Sequence, residues 1–372
     1  MINLHFRVKE LLGRRAKGKF GALLLAPVTL LSGIYALIQY VRRNLYRRGF
    51  LKSSHAGVPT VCVGNITLGG TGKTPCVETI CRLFIRMGKK PVIIARGYGG
   101  SLEGDVVVVS DGKEIMCSAA EVGDEPLLLS ERLLEIGVPV VIGAKRIDAA
   151  RLAVGKLGAE AIVMDDGFQH LAIKRDLNIV VIDASRPFGN YLCLPRGVLR
   201  EPLSALRDAN LFLLTRAEGV GDISMNALKE RLCAINPKAP VITASHTPDC
   251  FRESHQNERY PLSWVDSRKV LAFAGIGNPG AFFLNLEELG AQLLDSTPFP
   301  DHHAYTSAEL GQLDKWARLS SASALVTTEK DLVRIEGLIK PEIPIMALLI
   351  KMSFVEDGER VLEEQLKGII QP

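Results

Sequence analysis

Gly64-Asn65-Ile66-Thr67-Leu68-Gly69-Gly70-Thr71-Gly72-Lys73-Thr74-Pro75 follows the apolar run Val58 to Val63 and precedes an amphipathic segment from Cys76 to Met87. Strand, glycine-rich turn and helix start are the context that a phosphate loop requires. The glycines let backbone N–H groups fold around a phosphate, and the helix N-terminus adds a favourable dipole. Lys73 then reaches the terminal phosphates, and the Thr74 hydroxyl is a ligand for Mg²⁺. The stretch Thr67, Leu68, Gly69, Gly70, Thr71, Gly72, Lys73 and Thr74 is therefore the candidate ATP cradle. It departs from the common loop patterns at two positions: Thr67 replaces the usual first glycine, and Leu68 stands where partitioning ATPases carry an extra lysine.

Outward from this loop, apolar runs recur at 91–95, 106–109, 138–142, 161–164, 179–182 and 211–214, and again at 241–243, 270–274, 325–327 and 345–349. Their alternation with helical stretches predicts an α/β fold with a mostly parallel sheet. The 372 residues suffice for two lobes. Composition turns to loop near Val220 to Met225, which places a boundary near Gly219. The expected division is an anchor over 1–52, a phosphate-loop kinase core over 53–219 and a smaller α/β lobe over 220–372. A net charge of +4, with Lys and Arg gathered at the N-terminus, gives no case for a nucleic-acid groove, and no protein partner is implied. The seven cysteines are odd in number and contain no CxxC pair, which fits a reducing compartment better than a disulfide framework.

Gly21 to Val41 carries no charge and is long enough, as a helix, to cross a bilayer's hydrocarbon core. Arg14, Arg15, Lys17 and Lys19 flank it on one side and Arg42, Arg43, Arg47 and Arg48 on the other. Basic flanks favour anionic headgroups. The pattern predicts a membrane anchor, and leaves open whether it spans or embeds in one leaflet.

Further acids and bases follow. Ala161 to Met164 runs into Asp165-Asp166, the form of a strand-end acidic motif that holds Mg²⁺, with Gln169 and His170 close behind. Gly123-Asp124-Glu125-Pro126 precedes a helical stretch; Asp124 suits either an N-cap or a general base for an acceptor hydroxyl. Phe299-Pro300-Asp301-His302-His303 offers imidazoles able to tune a carboxylate. Leu194 to Pro202 mixes Arg196 and Arg200, suited to phosphate, with Glu201. On residues alone, a nucleotide switch at a membrane and a kinase for a soluble metabolite remain alternatives.

Together with Arg96-Gly97-Tyr98-Gly99-Gly100, Gly275-Ile276-Gly277-Asn278-Pro279 and Thr327-Thr328-Glu329-Lys330-Asp331, these motifs resemble, in order, the tetraacyldisaccharide 4′-kinase family. The resemblance implies two RecA-like lobes and an N-terminal membrane helix. It implies transfer of the ATP γ-phosphoryl group to the 4′-hydroxyl of a tetraacyl disaccharide 1-phosphate, giving lipid IVA, at the cytoplasmic face of the inner membrane. Carried over, Lys73 holds phosphates and Thr74 the Mg²⁺. Asp124, paired with His302, takes the hydroxyl proton. Asp165, Asp166, Gln169, His170 and Glu201 serve metal and phosphate positioning, and Arg200 contacts phosphate.

Overall fold

The computed structural model describes residues 18–254 and 258–370. The strand predicted before the phosphate loop is β1 (Thr60–Gly64), every residue of it buried. Its side chains alternate between two cores. Val61 and Val63 face Cys76, Val77, Ile80 and Phe84 of helix α2 (Lys73–Arg86), whereas Cys62 faces Met164, Phe168 and Val180 on the other side. A strand covered on both faces reads as a continuous apolar run, which is why this part of the fold was visible in the sequence.

β1 lies between β5 (Ala161–Asp165) and β6 (Leu177–Asp183), parallel to both. The first lobe extends through β2 (Pro91–Ala95) and β4 (Val140–Ile142) on one side and β7 (Leu211–Thr215) on the other, all parallel. An antiparallel edge strand, β3 (Val107–Ser110), closes it. Helices α3 (Asp124–Leu133), α4 (Arg146–Leu157) and α5 (Asp222–Ile235) belong to this lobe. The second lobe has β10 (Lys269–Ala274), β11 (Gln292–Pro298), β12 (Ala324–Thr328) and β13 (Ile345–Phe354) with α6 (Pro279–Glu288), α7 (Ser307–Leu319) and α8 (Glu329–Ile335).

The lobes share one sheet through β8 (Val241–Glu253), of which sequence analysis recognised only residues 241–243. Those three residues pair in parallel with β7. From Ala244 the strand pairs antiparallel with β13, with a register slip beside Pro248, and its end pairs antiparallel with the short β9 (Arg259–Tyr260). A bulge accommodates the proline, so a segment that looks like loop continues the ladder. β11 also went unseen: its residues alternate exposed and half-buried at the sheet edge, and its Asp, Ser and Thr dilute the apolar signal. The last helix, α9 (Gly358–Ile370), returns to the first lobe, where Leu362 and Leu366 join the core around Leu177 and Ile179.

The segment expected to be an anchor forms α1 (Gly18–Arg47). Arg14, Arg15 and Lys17 of its expected basic flank lie outside the described residues, as does the Lys19 side chain. The second half of α1 docks on the first lobe. Ser32 donates to the Cys193 carbonyl and the Tyr35 hydroxyl to the Arg200 carbonyl. Arg43, buried, pairs with Glu201 and with Asp208 (2.6 Å), and its guanidinium lies 4.5 Å from the Phe168 ring centroid. The opposite face carries exposed Leu30, Leu31, Ile34, Leu37, Ile38 and Val41.

Candidate active site

The phosphate loop is shaped by bonds from three directions. Asn65 Nδ2 donates to Thr71 Oγ1 (3.2 Å), and the Thr71 carbonyl accepts from Thr215 Oγ1 at the end of β7 (2.8 Å). Gln169 Nε2 donates to the Asn65 carbonyl (2.7 Å). The Leu68 N–H donates to the Val198 carbonyl, and the Arg200 N–H to that of Ile66, so the Leu194 to Pro202 segment is stitched to the loop. Gly69 and Gly72 take φ of +104° and +83°, which L side chains rarely adopt. An added Cβ on Gly72 would meet the His246 ring at 2.2 Å. Lys73 and Thr74 follow at the start of α2, both buried.

Asp165 and Asp166 close β5 beside this loop. Lys73 Nζ is 3.6 Å from Asp166 Oδ1, and Arg200 Nη1 reaches both Asp166 oxygens at 2.8 and 3.1 Å. Arg200 therefore contacts a carboxylate here. Asp165 is buried, and its Oδ1 has no hydrogen-bond partner. Burial first, then the charge of Glu125, push its carboxyl up, while Lys73 pulls the other way. An orphaned carboxylate oxygen with Lys73 and Asp166 as charged neighbours is the chemistry a hard divalent cation relieves, and with the Thr74 hydroxyl next to Lys73 in the chain these residues fit Mg²⁺. Among the described residues no three His, Cys, Asp or Glu side chains form a self-sufficient metal cage. Gln169 is committed to the loop backbone, and burial followed by Arg146, Arg175, Arg42 and Arg96 holds the His170 pKa down to about 4. Glu201 is bound to Arg43 of α1, and its charged neighbours are Arg43, Arg42 and Arg175.

Asp124 begins α3. Its Oδ2 lies 3.4 Å from His302 Nδ1 and 2.6 Å from Arg334 Nε. His303 is turned away, 3.2 Å from Glu309 and stacked on Phe299. Burial raises the Asp124 pKa, but the His302 hydrogen bond and the Arg334 charge outweigh it, and the carboxyl titrates below the usual carboxylate range. Glu125 pairs with Lys330 (3.1 Å); burial raises its pKa, but the charges of Lys330 and Lys73 outweigh it and hold the carboxyl below its ordinary value.

The sequence profile of the tetraacyldisaccharide-1-P 4′-kinases matches residues 22–371. The chain belongs to the tetraacyldisaccharide-1-P 4′-kinase family. A tetraacyldisaccharide 4′-kinase of Anaeromyxobacter dehalogenans strain 2CP-C is 42% identical over 323 residues, 87% of this chain and 84% of that protein. One from Desulfatibacillum aliphaticivorans is 39% identical over 355 residues, 93% of each chain. Among solved structures, the "apo" form of LpxK from Aquifex aeolicus in complex with ATP superposes with a TM-score of 0.75 at 29% identity, over 93% of this chain and 99% of that one. For this family member, motif reasoning missed Glu125, Thr215, His246 and Arg334. Glu125 sits inside a quoted motif but was overshadowed by its neighbour. The others lie far along the chain, and only the fold brings them to the loop or the base.

Proposed function

We propose that this kinase transfers the γ-phosphoryl group of ATP to the 4′-hydroxyl of a tetraacyl disaccharide 1-phosphate with Asp124 as general base. The observation that carries this is the start of α3: Asp124 adjoins Glu125, whose carboxyl feels the charges of the buried Lys73 and of Asp166. Asp124 accepts the hydroxyl proton as the new O–P bond forms; the bond from phosphorus to the β,γ-bridging oxygen breaks, and ADP leaves. Lys73 and the loop N–H groups from Gly69 to Thr74 hold the phosphates and offset charge developing on the transferred group. Thr74, Asp165 and Asp166 would hold Mg²⁺, which supplies charge neutralisation at the phosphates. Gln169 keeps the loop in shape through Asn65, and Arg200 holds Asp166 in place. Glu201 acts through Arg43 on the anchor. His170 and the division into an anchor, a core to 219 and a second lobe belong to the same reading.

The docking of α1 favours a helix lying in one leaflet over one that spans. Its inner face is bonded to the first lobe from Ser32 to Arg47, and its outer face presents an apolar stripe, with Leu30 67% and Leu37 60% exposed. Acyl chains then stay in lipid while the sugar reaches the cleft, at the cytoplasmic face of the inner membrane. The test is transfer of label from γ-labelled ATP to the lipid acceptor in mixed micelles. Wild type should label the lipid, Lys73→Ala should not, and Asp124→Ala should lose turnover by about a hundredfold or more with ATP binding retained. Label released as free phosphate regardless of lipid would overturn the proposal.

A further inference from the structure

The turn at 166–169, which follows β5, brings Asp166 and Gln169 to the phosphate loop, yet it owes its shape to bonds on its backbone. Asp166 sits at φ +49°, a left-handed conformation uncommon for a residue with a side chain. Such strain persists only where the surroundings over-determine it. Here three successive carbonyls are held. Those of Gly167 and Phe168 accept from Arg175 Nη1 at 3.3 and 3.0 Å, and that of Phe168 accepts also from Arg43 Nη2 at 3.2 Å. The Gln169 carbonyl accepts from both Nη atoms of Arg42, each at 3.2 Å. Against the same turn, a Cβ added to Gly64 would meet Phe168 N at 2.8 Å, so the backbone is pressed on the residue where β1 becomes the phosphate loop.

Arg43 is neutralised by Glu201 and Asp208, but among the described residues Arg42 and Arg175 form no ion pair and give their donors to these carbonyls. The wholly buried Glu201, with Arg43, Arg42 and Arg175 as its charged neighbours, gathers the three cations. From the turn, two lines run to the nucleotide site. Asp166 accepts from Arg200 (2.8 Å) and lies 3.6 Å from Lys73 Nζ; Gln169 Nε2 donates to the carbonyl of Asn65, whose Nδ2 holds Thr71. Arg42 and Arg43 belong to α1, so the helix read from sequence as an anchor also reaches the backbone behind the acidic motif. We infer that Arg42 and Arg175 are positioning residues for the metal and nucleotide site: they hold the carbonyls of 167–169, and through them Asp166 and Gln169, and α1 thereby completes that site. This rests on Asp165 and Asp166 holding Mg²⁺ with Thr74, and it requires neither acceptor nor bilayer.

The experiment follows binding of a fluorescent ATP analogue to the full chain in detergent micelles, without acceptor lipid, as Mg²⁺ is titrated. It reads the half-saturating Mg²⁺ concentration, the affinity for the analogue in EDTA, and the thermal melt. Groups that orient a metal ligand from behind are worth about tenfold or more in metal affinity. Arg42→Ala and Arg175→Ala should therefore each raise the half-saturating Mg²⁺ about tenfold, with affinity in EDTA within about twofold of wild type. Glu201 keeps Arg43 in both variants, so neither leaves a buried carboxylate bare and the fold should persist. Arg42→Lys keeps a donor for the Gln169 carbonyl and should recover most of the loss. Arg48→Ala removes an equal charge from the exposed end of α1 and should match wild type. An unchanged half-saturating Mg²⁺ in either alanine variant would overturn the inference, as would an equal rise in Arg48→Ala. A loss that appears equally in EDTA and follows a lowered melt would make the two arginines packing residues and overturn it as well. Asp165→Asn and Asp166→Asn that both keep the wild-type Mg²⁺ dependence would instead remove the metal assignment beneath it.

Discussion

His246 shows what a single side chain contributes to the phosphate loop. Its ring fills the space that a Cβ on Gly72 would need, and its Nε2 is sealed away without a hydrogen-bond partner. Burial first, then the charge of Arg216, hold its pKa down to about 4, against the pull of Asp183. In the unfolded chain the imidazole takes its proton near 6.5. Between those two values the unfolded state binds more protons than the folded one, so the fold loses stability as pH falls from about 6.5 toward about 4. His170 shifts in the same direction. We predict a denaturation midpoint that drops over this window in wild type and drops less steeply in His246→Asn. Identical slopes would mean that His246 protonates freely in the folded protein. Nothing near His246 in the sequence announces this role, because the contact depends on β8 running beside the loop. Lys73 and Thr74 were legible because a phosphate loop is contiguous.

At the scale of elements, α1 joins two demands on one helix. Its length and lack of charge were plain in the sequence, but its docking was not. Ser32 and Tyr35 sit inside the apolar run, and Arg43 reads as one more basic flank. The fold separates them by face. Arg43 is buried between Glu201 and Asp208, with Glu201 wholly buried. Removing the arginine leaves an uncompensated buried carboxylate, at a cost of about 3–5 kcal/mol. Arg43→Ala should therefore lower the melting temperature sharply. By contrast, Leu37→Ser with Ile38→Ser changes only exposed side chains, 60% and 57% accessible, and should leave the melt nearly unchanged while weakening flotation with anionic vesicles. A double serine variant that floats as well as wild type would show that this face does not meet the bilayer. The second lobe's edge was harder to read for a related reason. Strands β8 and β11 are held by their neighbours' ladders, not by apolar runs of their own.

At the scale of the whole molecule, the two lobes are distinct around their cores but not separable in the chain. One sheet crosses both through β8, and α9, the last element, leaves the second lobe to seal the first. Position 219, where composition shifts, falls between β7 and α5, yet α5, the start of β8 and α9 all contribute to the first lobe's packing. Leu362 and Leu366 are each fully buried, and full burial of a leucine is worth about 1.5–3 kcal/mol. Together they represent a large share of the roughly 5–15 kcal/mol by which a domain is stable. A chain ending at Asp357 loses both and exposes Leu177 and Val181 beneath them. We predict that this truncation unfolds the first lobe well below the wild-type melting temperature and abolishes ATP binding, although every residue of the phosphate loop is present. Fluorescent-nucleotide binding and a thermal melt on the truncated chain decide it. Retained nucleotide affinity with an unshifted melt would show that residues 53–219 carry a self-sufficient core, and that α9 only rests on its surface.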